Sequence, residues 1–388
     1  MSATSAALPL SDLFVVELGT SIAAPFGTHV LADLGADVLK IERPGTGDDA
    51  RLWGPPFFQG ASPMFRAINR NKQSAVVDFK DKQQCEALRN LITERADVVV
   101  QNMRPGVVEG CGLDAKTLRD KKPSLIYCNI SAYGANGPLR DKPGYDPLMQ
   151  ACGGIMSITG DAGRDPVRVG PSIVDQGAAM WAVIGILAAL NRRHLTGEGC
   201  EIGGSLYETA LSWVGMAIAT YHASGKAPKP MGTENFGIAP YKAYQAQDGY
   251  LMIAAGNDAL FERLARALAK PEWLDDPQFR SNPERVRHRE RLNRLIAEVV
   301  ATGRREGWLA KLDAAGVPAA PLQTLDEVVV HPQTVAVDMI QAAPGGHPAL
   351  VGLPLQFDGA RPPLRSLPPD LGAHTDRVLG PAAKKVAS

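Results

Sequence analysis

Five short runs rich in β-branched residues, separated by helical or loop sequence, dominate the first third of the chain and limit its possible folds. They cover residues 13–18 (LFVVEL), 38–41, 75–77, 97–100 and 125–130. A helix opens near Pro25 and ends at Gly35, a Pro/Gly-rich loop fills 44–60, and a second helix covers about 81–95. Pro suits a first helical turn because the N–H it lacks would be unpaired there. Gly suits a helix end because it adopts the left-handed cap. Strands alternating with helices are joined by crossovers, which align them in parallel and cover both faces of the sheet.

With 388 residues and 41.3 kDa the chain can bury a large core and form more than one compact unit. Lys and Arg total 41, Asp and Glu also 41, and the sequence pI is near 7.1. The basic excess typical of nucleic-acid and membrane-surface binders is missing. An apolar content of 45% excludes wholesale disorder. The five cysteines (Cys85, Cys111, Cys128, Cys152 and Cys200) are odd in number and lack CxxC spacing, so they read as reduced thiols without a metal site. The first residues carry no signal-peptide pattern. The apolar run 177–190 is shorter than the roughly 18–20 residues that span a bilayer, so it reads as a core helix. The expectation is a cytoplasmic protein that contacts neither membrane nor nucleic acid.

A long helix is expected over about 176–195, with Gly197 as its cap, and another over 206–222. The expected layout is a large α/β domain beginning with 1–222, a linker at 223–240, a smaller α+β domain at 241–325, and a linker and return to the large domain at 326–388. The small domain contains a hairpin turning at Asp248-Gly249 and charged helices near 259–269 and 286–302.

Familiar catalytic signatures (GxSxG, the P-loop and HExxH) are missing. Gly45-Thr46-Gly47-Asp48-Asp49-Ala50 matches a dinucleotide fingerprint in letters only, because Pro55-Pro56 follows soon after where a helix should open. Asp175 stands where the long helix should begin. It reads as a plain N-cap, or as an anion that the positive helix end keeps ionised at pH 7.

Several segments together decide more: HVLADLGADVLKIERPGTGD, NRNKQS, QNMRPG, GYDPLMQACGGIMSITG, VGPSIVDQGAAMWAVIGILAALNRRHLTGEG, PYKAYQAQDGYLMIAAGND and DLGAHTDRVLG. In this order the chain resembles the class III coenzyme A-transferases of the CaiB/BaiF type, the formyl-CoA and carnitine CoA-transferase group. The resemblance implies a large Rossmann-like parallel-sheet domain, a smaller α+β domain and an interlocked homodimer. It implies that Asp175 is the nucleophile, passing through an aspartyl mixed anhydride and an aspartyl-CoA thioester. The implied reaction moves CoA from an acyl-CoA to a free, dicarboxylic acid, with no resident cofactor or metal.

The resemblance places Ile22, Tyr145, Asp146, Gly256 and Asn257 around the thioester, with the last two on the loop 254–257. It places Arg43, Lys72 and Arg104 on the CoA phosphates and Met103 near the adenine, with the three cations at strand ends or in loops after them. Related α-methylacyl-CoA racemases carry a histidine where Tyr145 stands, thirty residues before Asp175. A phenol is a poor base at neutral pH, so isomerase chemistry is the weaker reading. A CoA-binding protein without turnover is a third.

Overall fold

The computed structural model describes residues 8–380 and divides into two compact units. Within the described residues the first comprises 8–155, 169–215 and 332–380, the second 156–168 and 216–331.

The first unit is built on six strands, β1 (Phe14–Leu18), β2 (Asp37–Glu42), β3 (Lys72–Val76), β4 (Val98–Gln101), β5 (Ile126–Ser131) and β6 (Glu201–Ser205). They lie in the order β3-β2-β1-β4-β5-β6, and every pair is parallel. The chain starts at the centre, moves outward through β2 and β3, and returns across β1 to continue through β4. The loops after β1 and β4 therefore leave in opposite directions, opening a crevice at the carboxyl edge of the sheet. β6 was not foreseen, because EIGGS carries two glycines and one β-branched residue and gives no strand signal.

The first helix (Ala23–Asp33) and the long helix (Ile173–Thr196) pack against each other. Gly27 faces Ala179 at this contact, where a Cβ would lie 3.4 Å from the Ala179 carbonyl oxygen. Each helix follows a strand of a parallel sheet and runs back along it, so both begin at the carboxyl edge. The long helix has 24 residues, more than its apolar run suggested, and by length and composition alone could cross a membrane. Here it packs on β5 and β6 and is half buried. The second expected helix breaks at Val214 into Leu206–Trp213 and Gly215–Ser224. The C-terminal segment closes on β3, where His374 N–H donates to the Ser74 carbonyl at 2.8 Å and Val378 enters the core.

In the second unit β7 (Tyr241–Ala246), β8 (Gly249–Ala254) and β9 (Ala319–Pro321) form an antiparallel sheet. Its core joins Leu251 and Ile253 to Phe261, Leu264, Leu292 and Ile296 from the helices Asp258–Ala267 and Arg289–Val300.

Candidate active site

Asp175 is buried in the first turn of the long helix, only 9% exposed. It is not the cap. That role falls to Asp146, whose Oδ2 accepts the N–H groups of Val174 at 2.7 Å and Asp175 at 3.2 Å. Gln150, one helical turn beyond Asp146, donates to Asp146 Oδ1 at 2.6 Å, and the Val169 N–H locks the Gln150 amide at 2.8 Å. The helix N-terminus is thus satisfied by a carboxylate 29 residues upstream, and the Asp175 side chain is left over.

Among the described residues none donates a hydrogen bond to the Asp175 carboxylate. Burial, followed by repulsion from the Asp146 carboxylate, pushes its pKa up to about 7. This corrects the expectation that the helix end keeps Asp175 fully ionised, since Asp146 already occupies the two N–H donors. A carboxylate with little water around it and raised basicity is a stronger nucleophile than an ordinary surface aspartate.

Beneath the crevice lies a buried charge network. Lys40 Nζ contacts Glu17 Oε1 at 2.6 Å, Asp48 Oδ2 at 2.7 Å and the Gly19 carbonyl at 2.9 Å. Burial opposes the charge on Glu17, yet the ammonium groups of Lys40 and Lys72 outweigh it and hold the carboxyl at about 2. Asp48 Oδ1 accepts the Ser21 N–H at 2.9 Å. Asn102 exchanges two 2.9 Å hydrogen bonds with the backbone of Thr20 across the crevice. The loop 19–22, including the left-handed Ser21 (φ 68°), is therefore pinned from below and from β4. Ile22 is buried at the start of the first helix, facing this same edge. Glu17, Lys40, Asp48, Asn102 and Gln150 all escaped sequence reading. The one available signal was two charged residues inside otherwise apolar strands, Glu17 and Lys40.

The candidate CoA contacts separate. Arg43 follows β2 in half-exposed surroundings, paired with Asp49 and donating to Thr46 Oγ1 at 2.8 Å. Arg104 is exposed after β4, and Met103 beside it is half-buried against the core. These two loops flank β1 on either side. Lys72 does not fit a phosphate contact. It opens β3 instead of following a strand, its side chain is fully buried, and its three N–H groups are spent on Glu17 Oε2 (2.9 Å), the Pro25 carbonyl (2.7 Å) and Asn69 Oδ1 (2.9 Å). Burial pulls this ammonium down to about 8.

Tyr145 immediately precedes Asp146 and is 55% exposed, so its hydroxyl is not a satisfied core group. Gly256 and Asn257 belong to the second unit, where Asn257 caps the helix Asp258–Ala267 by accepting the Leu260 N–H at 2.9 Å.

The model of CoA-transferase family III matches residues 10–375. The human succinyl-CoA:glutarate CoA-transferase is 34% identical, covering 96% of this chain and 85% of its own. The acetyl-CoA:oxalate CoA-transferase of Acetobacter aceti is 36% identical, covering 90% of each. A CaiB/BaiF family protein from Brucella suis has a solved structure that superposes with a TM-score of 0.85 at 38% identity, over 95% of this chain and 98% of that one. From its parallel sheet to its C-terminal return, the chain belongs to family III of the CoA-transferases and is a CoA-transferase enzyme that uses acyl-CoA as substrate.

Proposed function

We propose that this enzyme moves CoA from an acyl-CoA donor to a free dicarboxylic acid, with Asp175 as nucleophile. The carrying observation is the buried Asp175 carboxylate, unbonded at the carboxyl edge beside the Asp146 cap. An Asp175 oxygen attacks the donor thioester carbonyl and expels CoA thiolate, leaving an aspartyl–acyl anhydride. The thiolate then attacks the aspartyl carbonyl and releases the donor acid. The resulting aspartyl-CoA thioester is attacked by the acceptor carboxylate, and the freed thiolate takes the acceptor's acyl group, restoring Asp175. An anhydride and a thioester are close in energy, so neither step falls into a deep well. Arg43 and Arg104, on opposite sides of β1, are the cations that would meet the CoA phosphates. The dicarboxylic acceptor is supported by the named substrates of the relatives, glutarate and oxalate. Incubation with succinyl-CoA should leave a CoA-sized mass on the Asp175 peptide, trappable with hydroxylamine. A protein that transfers CoA without any adduct at this peptide would exclude the covalent route.

The reading includes a homodimer. Met180, Trp181, Ile184 and Leu187 stand exposed along the long helix, with Trp213 beside Trp181 at 6.5 Å between ring centroids. An apolar face of this kind is typical of a protein–protein contact. Sedimentation should give twice the 41.3 kDa chain mass, and Trp181→Glu should shift it toward the single chain.

A further inference from the structure

Away from Asp175, the first unit contains a cavity of about 250 Å³ between the helix Pro63–Ala67 and the segments 347–351 and 367–368. Its walls are mainly apolar (Phe58, Pro63, Leu350 and Leu367), and its polar lining is the Arg66 guanidinium and the His347 ring. Arg66 is 7% exposed; among the described residues no carboxylate is in ion-pair contact with it, and Asp370 acts on its charge from further away. Its Nε donates to the Phe58 carbonyl at 2.9 Å and its Nη2 to the Gln59 carbonyl at 2.9 Å. Its Nη1 lies 3.3 Å from His347 Nδ1.

A guanidinium only donates, so His347 accepts at Nδ1 and its ring proton sits on Nε2. Three of the five guanidinium N–H groups are used and two remain. The two accepting carbonyls belong to the tight turn Phe58–Ala61, whose central residues Gln59 and Gly60 both have positive φ (45° and 76°). They fix the plane of the guanidinium, but carbonyl dipoles do not neutralise it, and the Asp370 carboxylate acts on its charge only from beyond ion-pair distance. A buried charge without a directly paired counter-ion is costly, and a bound anion would lower that cost. The remaining guanidinium N–H pair suits a carboxylate, His347 holds Nη1 in place, and the walls suit a short apolar tail. At roughly 30 Å³ per water, the space holds about eight water volumes, enough for a small acid and too little for a nucleotide.

We infer that Arg66 and His347 form a second carboxylate-binding site, which takes a short aliphatic monocarboxylic acid and operates apart from Asp175. The proposal does not depend on the covalent mechanism, so its test uses the full chain carrying Asp175→Ala. Titration calorimetry with pentanoate should show one site per chain, with inorganic phosphate binding at least about tenfold more weakly. Arg66→Gln should abolish the heat. Ala67→Phe, which fills the cavity from its wall without touching the guanidinium, should weaken binding by at least about tenfold while leaving the melting temperature within about two degrees. Unchanged pentanoate affinity in Ala67→Phe, phosphate binding as tightly as pentanoate, or competitive displacement of pentanoate by CoA would each overturn the assignment.

Discussion

Replacing Asp175 with Asn should stop CoA transfer and at the same time make the protein more stable above pH 7. Removal of the nucleophile proposed above is expected to cost at least ~10⁴-fold in rate. The stability gain comes from linkage. Burial and the adjacent Asp146 raise the Asp175 carboxyl from its ordinary 3.8 to about 7, so the native state holds this proton more tightly than the unfolded chain. Native stability therefore falls as pH rises from about 4 to about 7, by up to about 4 kcal/mol at about 1.4 kcal/mol per pH unit. Asn has no proton to lose. Its melting temperature should exceed that of the parent by several degrees at pH 8, and the difference should vanish near pH 4. Calorimetric scans at the two pH values check this, and an equal difference at both would refute a buried, strained ionisation. The parent's kcat/KM should rise with pH and level off above about 7, following the ionised fraction of the same group.

Lys40→Met should be the most destabilising single change in the sheet. It strands Asp48 Oδ2, leaves Glu17 paired with Lys72 alone among the ammonium groups described, and frees the Gly19 carbonyl. Breaking one partner of a buried ionic network costs about 3–5 kcal/mol, because the charges left behind stay desolvated. Glu17 titrates at about 2 in the native state against its ordinary 4.5, so its contribution is complete above pH 4.5 and is lost as pH falls toward 2. Denaturant midpoints of parent and variant should differ most near neutral pH and converge in strong acid. A uniform offset down to pH 2 would assign the loss to packing instead. The loop 19–22 loses its lower anchor in the variant, so KM for acyl-CoA should also rise.

Parallel order, crossover helices and the hairpin were legible because each rests on a local rule. β-branched runs make strands, Gly and Pro punctuate them, and the expected hairpin forms, turning at Gln247-Asp248, one residue earlier than Asp248-Gly249. The strand β6 was not legible, since its pairing with β5 is imposed by the long helix that delivers it to the sheet edge. Lys72 shows the same limit at a site residue. A lysine in a motif is equally able to reach a phosphate or an interior carboxylate, and only the position of Glu17 on β1, two strands away, chose the second.

By itself the sequence determined the chemistry on offer: one aspartate at the mouth of an apolar helix, cations after two strands, and a chain patterned for a parallel sheet. The tertiary structure alone decided that Asp146 caps that helix, leaving Asp175 unbonded with its acidity weakened to near neutrality. The physical reason is that a carboxylate's reactivity depends on the water and charge around it. Groups 29 residues apart in the chain set that environment only once the backbone has folded.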